Sequence, residues 1–266
     1  MMRSSRLLAV ALAGALVAAG CGAQRGAVAP ASADADQFLF ERGQAAFKEQ
    51  KWLQAREYYR QIVDNYPQST YRPDAKLAVG DTYIGEHSTE ALMLGVNEFR
   101  EFLTFYPTST RADYAQFRLA TALAEQMLAA ERDQTTTREV VKEMQVFLDR
   151  YPNSALMPEA KALMRQAKDR LSEASYRVGF YYFRAKWYPG AIDRFKEVLA
   201  ADPEFTSRDA VYYHLAESLL RVGTEASKAE ALPYFERLLK EFEQSSYLQL
   251  ARRRVEELKG ATGAQR

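Results

Sequence analysis

The stretch YPQSTYRPDA, residues 66–75, closes one apolar-striped segment and opens the next. It returns as YPTSTRADYA (106–115) and YPNSALMPEA (151–160). A shorter copy, DPEFTSRDA (202–210), and an eroded one, FEQSSYLQLA (242–251), follow. Proline cannot continue a helix interior and disfavours helical geometry in the residue before it, so Pro67, Pro107, Pro152 and Pro203 each stop a helix. The Ser/Thr residues that follow are of the type that caps a new helix, and Pro73 and Pro158 stand where a first-turn proline is tolerated.

Counting back from each of these helix-stopping prolines, and from Glu243 in the last copy, gives the same stripe five times. The residue four before it is Val63, Leu103, Leu148, Leu199 or Leu239, and the one five before it is Ile62, Phe102, Phe147, Val198 or Leu238. Eight before it stand Tyr59, Phe99, Met144, Phe195 and Phe235; twelve before it stand Ala55, Gly95, Val140, Ala191 and Ala231. Spacings of three and four mark one face of a helix, and the compact residue lets a second helix cross closely. The second helix of each unit is predicted after the turn, over Ala75–Gly85, Asp113–Ala130 and Arg208–Val222, with a longer one from Pro158 to Arg184. A last helix is expected over 248–259 and a frayed tail over 260–266.

The period is uneven. Pro67 to Pro107 is 40 residues, Pro107 to Pro152 is 45 and Pro152 to Pro203 is 51. The extra length is expected between the paired helices, in EHSTEALML (86–94) and AERDQTTTR (130–138), and in the long helix of the third interval. This organisation resembles the tetratricopeptide repeat, with its order of small, aromatic, small, aromatic and proline positions. Gly179, Tyr182, Ala191, Phe195 and Pro203 follow that order without a gap, and Gly43, Ala55, Tyr59 and Pro67 follow it in the first copy. The expected fold is all-α, an α-solenoid of about five tetratricopeptide-like helix pairs over residues 36–259, each pair packed on its neighbours.

Residues 1–21, MMRSSRLLAVALAGALVAAGC, form a separate unit. Arg3 and Arg6 precede an apolar run from Leu7 to Ala19, which is too short to span a bilayer comfortably, so residues 1–20 read as a signal peptide. AAGC (18–21) resembles a bacterial lipobox, which makes Cys21 the expected lipidation site. Ala18 departs from the commonest leucine, and plain secretion is the alternative. Cys21 is the one cysteine of the chain, so no intrachain disulfide forms. Residues 21–35, the lipidated cysteine and a small, polar Pro/Gly-containing stretch, read as a flexible tether.

Composition excludes several functions. The 266 residues carry 36 Lys+Arg against 35 Asp+Glu, so no basic excess supports nucleic-acid binding. The two histidines, His87 and His214, share no ligand-spaced motif, and no glycine-rich phosphate loop is present, so neither metal nor other cofactor is expected. Glu217-Ser218 resembles the Glu-Ser of lytic transglycosylases, but RVGTEASKAE follows in place of that family's Gly-Leu-Met-Gln stretch, and a non-enzymatic protein is expected.

Concave faces of solenoids are extended binding surfaces. In tetratricopeptide repeats the first helix of each pair lines that face, which by repeat position turns Gln44, Phe47, Lys48, Asp81, Ile84, Phe117 and Thr121 inward as a candidate peptide groove. Tyr181, Tyr182, Tyr212 and Tyr213 read equally as core or as contact residues.

The whole pattern resembles the BamD family, most densely in YYRQIVDNYPQSTYRPDA (58–75) and in residues 146–192. Those are lipoproteins of the outer-membrane β-barrel assembly machinery, on the periplasmic face of the outer membrane. The resemblance implies a lipid-anchored scaffold whose C-terminal repeats dock the barrel-forming subunit, alongside accessory lipoproteins. Its N-terminal repeats are expected to receive segments of unfolded outer-membrane proteins. The 130–138 insertion, the shortened DPEFTSRDA turn and Glu243 in place of proline depart from the family pattern. Another tetratricopeptide lipoprotein of the envelope, a secretin pilotin or an organiser of cell-wall synthases, is the alternative. Those tend toward a regular repeat of about 34 residues, shorter than the spacings here.

Overall fold

The computed structural model describes residues 34–263, with side chains to residue 260; Cys21, the signal peptide and most of the tether lie outside the described residues. Eleven helices and no strands occur among them. They are α1 (Ala35–Lys48), α2 (Trp52–Asn65), α3 (Arg72–Glu86), α4 (Thr89–Phe105), α5 (Ala112–Ala124), α6 (Thr135–Arg150), α7 (Met157–Arg184), α8 (Tyr188–Ala201), α9 (Arg208–Val222), α10 (Glu225–Glu241) and α11 (Leu248–Gly263). Each helix packs mainly on its neighbours in sequence, and lesser contacts join α3 to α5, α5 to α7 and α7 to α9. This is a solenoid of five pairs, with α11 on its last pair.

Within a pair the helices approach through a small residue. A Cβ built on Gly43 would lie 2.5 Å from the Tyr59 ring, on Gly80 2.7 Å from Phe99, and on Gly179 2.7 Å from Phe195. Each glycine thus makes room for the aromatic ring that the stripe places on the partner helix. Seven residues after these glycines the chain turns through left-handed backbone, at Gln50 (φ 58°), His87 (φ 54°) and Lys186 (φ 62°). The fifth pair spends a glycine there, Gly223 (φ 82°).

The YPxS turns are built differently from a simple helix cap. The Ser69 hydroxyl accepts from the backbone N–H of Tyr71 at 3.1 Å, and its own N–H donates to the Tyr66 carbonyl at 3.0 Å. Ser109, Ser154 and Ser245 repeat that hydroxyl bond to Arg111, Leu156 and Tyr247, each at 3.1 Å. The serines therefore shape the turn before the helix, and α3, α5 and α7 carry no side-chain cap of their own. Ser154 also donates to Asp113 at 2.6 Å and Ser245 to Asp209 at 2.6 Å, so each ties its turn to the start of a helix in the preceding pair. Glu243 stands where proline stood, yet the Phe242–Tyr247 turn keeps these bonds, because serine and backbone supply them.

Four expectations are corrected. EHSTEALML is no loop: α4 starts at Thr89, capped by the Ser88 hydroxyl accepting from Ala91, so the added length is helix. α5 ends at Ala124 although nothing in the sequence breaks it. Residues 125–134 instead pack against α7, where Arg170 donates to the Leu128 carbonyl at 2.6 Å and Arg177 pairs with Glu131 at 2.5 Å. α11 continues to Gly263, past the expected end at 259. The fourth turn has its serine later, at Ser207, and buries Phe205 where the other turns place serine.

α7 has 28 residues and belongs to two cores. Its Ala160, Met164 and Ala167 pack with α3–α6, while its Tyr176, Phe180 and Phe183 pack with α8–α11. Replacing Ala191, fully buried at the α7–α8 crossing, with leucine should cost about 1–3 kcal/mol by overpacking. Thermal melting would report it, and an unchanged midpoint would contradict the register.

Candidate functional site

One concave site lies between the N-terminal helices α1 and α3, and another is lined by the long helix α7. The first is a groove of about 440 Å³ between α1 and α3. Phe40, Gln44, Phe47 and Lys48 form one wall, one helical face of α1; Asp74, Leu77, Ala78 and Asp81 form the other from α3, and Tyr59 and Arg111 close it. Asp81 is the fixed charge of the groove. Arg118 donates to its Oδ1 at 2.7 Å and the Tyr114 hydroxyl to its Oδ2 at 2.8 Å. Burial nevertheless raises its carboxyl above the ordinary aspartate value, outweighing Arg118 and Tyr114. The Tyr59 phenol is pushed up to about 12, first by burial and then by the Asp81 charge. Lys48 at the rim is exposed. The groove thus offers aromatic walls, one held carboxylate and mobile cations at its mouth.

Of the seven inward positions, the structure places Gln44, Phe47, Lys48 and Asp81 on this groove. Ile84 is a correction: it is 4% exposed and packs in the α3–α7 core, because its turn of α3 faces α4 rather than the groove. Phe117 and Thr121 lie half-buried on α5 away from it. Phe117 packs edge-on to Phe147 at 6.1 Å, and Thr121 donates back to the Phe117 carbonyl at 2.9 Å. Phe40, Leu77 and Ala78 escaped the sequence reading, though each lies three or four residues before an inward position, on the same helical face.

The second site is a notch of about 830 Å³ among α6, α7 and α8. Val141 of α6, Leu171 and Val178 of α7 and Val198 of α8 give it apolar walls; Lys168, Arg194, Glu197 and Glu204 give it charge. Most of its wall comes from α7 and α8, with Val141 of α6 at one side. At its floor Arg165 grips Asp202 through two nitrogens, one at 3.0 Å, and Ser172 donates to the same carboxylate at 2.7 Å. Burial pushes the Asp202 carboxyl up, but the bonds from Arg165 and Ser172 prevail and hold it below the ordinary value. Val178 lines the notch, and farther along α7 Tyr181 is 69% exposed, with Trp187 56% exposed at the start of α8. Of the four ambiguous tyrosines, Tyr212 is fully buried, Tyr182 packs on Trp187 at 4.7 Å and Tyr213 stacks on Tyr247 at 4.6 Å.

Glu217 has no such access. It is 2% exposed, and Arg254 holds both of its oxygens at 2.5 and 3.2 Å. Among the described residues no cluster of His, Cys, Asp and Glu is arranged to hold a metal ion, and no helix is long and apolar enough to cross a membrane.

Residues 32–233 match the family described as YfiO, outer membrane lipoprotein. The chain is 26% identical over 188 residues to the outer membrane protein assembly factor BamD of Caulobacter vibrioides, covering 70% of this chain and 60% of that protein. It is 24% identical over 176 residues to the factor of the same name from Vibrio cholerae, covering 62% and 72%. Among solved structures, the TPR2AB-domain:pHSP90-complex of yeast Sti1 is similar in fold, with a TM-score of 0.51 at 12% identity over 87% of this chain and 85% of that one.

Asp202→Asn should weaken the notch floor by about 1.5–3 kcal/mol, the range for a hydrogen bond to a charged group. The stability Asp202 contributes is present above its unfolded value of about 3.9 and is lost as pH falls through its lower folded value. Denaturant melts of the variant should therefore show a shallower acid limb below about pH 4 than those of the parent chain.

Proposed function

This chain belongs to the YfiO family of outer membrane lipoproteins, and on that premise we propose that it is a non-enzymatic scaffold of outer-membrane β-barrel protein assembly. Its relatives carry the name of assembly factors for such proteins. The observation that carries the reading is the presence of two separate concave sites on one solenoid, the α1–α3 groove and the notch among α6, α7 and α8. A protein with one binding surface can hold a client or a machine. One with two can bring them together.

The α1–α3 groove suits a segment of an unfolded outer-membrane protein. Its aromatic walls accept apolar side chains, and Asp81 and Lys48 present opposite charges to the polar ones. The notch and the adjoining Tyr181 and Trp187 suit a folded partner, the barrel-forming subunit. Exposed aromatic rings beside a concave patch are the usual anchors of such interfaces. Attachment to the periplasmic face of the outer membrane is assigned to acyl chains on Cys21, several of which hold stably where a single one does not. The tether 21–35, the solenoid from residue 36 to 259 and the tail complete this organisation, with the final helix reaching past 259.

The reading is tested by a mild-detergent pull-down from the native envelope. A stoichiometric partner bearing periplasmic repeats and a β-barrel is expected. Recovery of a secretin or a cell-wall synthase instead would keep the fold and discard the function. Cys21→Ser is expected to move the protein from the membrane fraction to the soluble periplasm; retention in membranes would refute the anchor.

A further inference from the structure

His214 lies on α9 at the point where the last two pairs and the terminal helix meet, and only 6% of it is exposed. Six rings surround it. Tyr176, Phe180 and Phe183 come from α7, with centroids 5.9, 4.9 and 5.2 Å away, and Phe195 comes from α8 at 6.2 Å. Tyr213 of α9 and Tyr247 of the turn into α11 stand at 5.2 and 5.3 Å. The imidazole therefore stands among rings from α7, α8, α9 and the turn into α11.

Its protonation state follows from its partners. Nδ1 is 2.8 Å from the Ala210 carbonyl oxygen, which can only accept, so Nδ1 carries the proton of the neutral ring. The Tyr176 hydroxyl stands 3.1 Å from Nδ1, and the Tyr247 ring meets the imidazole edge-on at 5.3 Å. That leaves Nε2 as the place where a second proton binds. Burial lowers the affinity for that proton below the ordinary histidine value, with the Ala210 carbonyl and Glu217 pulling the other way.

The other charged groups around the cage are already engaged. Glu217 is paired with Arg254 of α11, Asp209 accepts from Ser245, and Glu173 of α7 pairs with Arg177. Unperturbed carboxylates titrate at about 3.9–4.3, tyrosine near 10 and arginine above 12. The chain has two histidines, and the other, His87, sits in the second pair against Glu125. Histidine is the one side-chain type among these whose ordinary value, about 6.5, lies between about pH 5 and 8, and His214 is the histidine of this region.

We propose that His214 is a proton-sensitive latch for the terminal helix: the neutral imidazole holds Tyr247, and through it α11, on the α7–α9 core, and proton uptake at Nε2 releases α11. The sign is fixed by burial. A base that protonates less readily folded than unfolded gives its full stabilisation above its unfolded value of about 6.5, and loses it as pH falls below that value. Release would uncover Phe242, Tyr247, Val255 and Leu258, which pack on the C-terminal core. The inference stands on this cage alone and does not depend on the assembly reading.

The test uses the whole mature chain. In His87→Asn a single imidazole remains, and its Cε1–H signal is followed by NMR from pH 8 to 5, with hydrogen-exchange protection measured at pH 7.5 and 5.5. The expected result is a midpoint below 6.5 and a drop of more than tenfold in protection over residues 248–258, while α1–α6 keep theirs. His214→Phe, which fills the cage with a ring that takes no proton, should remove the pH effect on α11. If that variant does not fold, the titration and exchange of the single-histidine chain decide alone. A midpoint at or above 6.5 would mean that the rings welcome the cation and would overturn the latch. Unchanged protection of α11 would overturn it equally.

Discussion

Three of the five pairs are set by one contact, an aromatic ring seated on a backbone that has no Cβ. Tyr59 on Gly43, Phe99 on Gly80 and Phe195 on Gly179 bring paired helices to their closest approach. Every ring is buried, and Phe99 and Phe195 keep no exposed surface. A methyl group at any of these glycines would meet a ring that cannot swing aside inside a close-packed core. Once that distance is set, the turn at the far end of each pair has little freedom. The chain reverses seven residues later through left-handed backbone, even where the residue is Gln50, His87 or Lys186. Non-glycine residues enter that region at a cost, so packing dictates the turn here rather than local preference.

Between pairs a second, weaker system operates. The turn serines accept a backbone N–H within their own turn, and Ser154 and Ser245 also reach back to an aspartate of the preceding pair. Where Phe205 takes the serine's place in the fourth turn, the N–H and hydroxyl of Thr206 both donate to Asp169 at 3.0 Å. Where Pro73 occupies the aspartate position, Asp74 beside it takes Arg111 at 3.4 Å instead. Each such bond contributes modestly, about 0.5–1.5 kcal/mol. Their value is directional, because they fix the relative setting of neighbours that apolar packing alone leaves free to slide.

The long α7 changes the architecture from an even coil to two cores on one shaft. Its first half completes the α3–α6 core and its second half founds the α8–α11 core. The notch lies where α7 runs between α6 and α8. Arg165, Ser172 and Asp202 then prevent its floor from collapsing. The same helix carries three rings of the His214 cage at its far end, so the C-terminal pairs are tied together by more ring contacts than the N-terminal ones.

The five-fold stripe, the prolines and the compact crossing residues were legible in the sequence because each reflects a local rule: helical periodicity, proline's missing N–H, or the room a small side chain leaves. They determined an all-α solenoid of five pairs, the 157–184 helix to within a residue, and four of the groove positions. Only the tertiary structure decided the rest. Ile84 went into the core instead of the groove because α4 packs across that turn of α3. α5 stopped at Ala124 because Arg170 and Arg177 of α7 bind the following segment more profitably than one more helical turn would. Serine became a turn-former because its hydroxyl found an N–H two residues on and an aspartate a repeat away. The notch and the histidine cage were invisible for the same reason. Each is made by residues from three or more helices, and no spacing along a chain records which helices will meet.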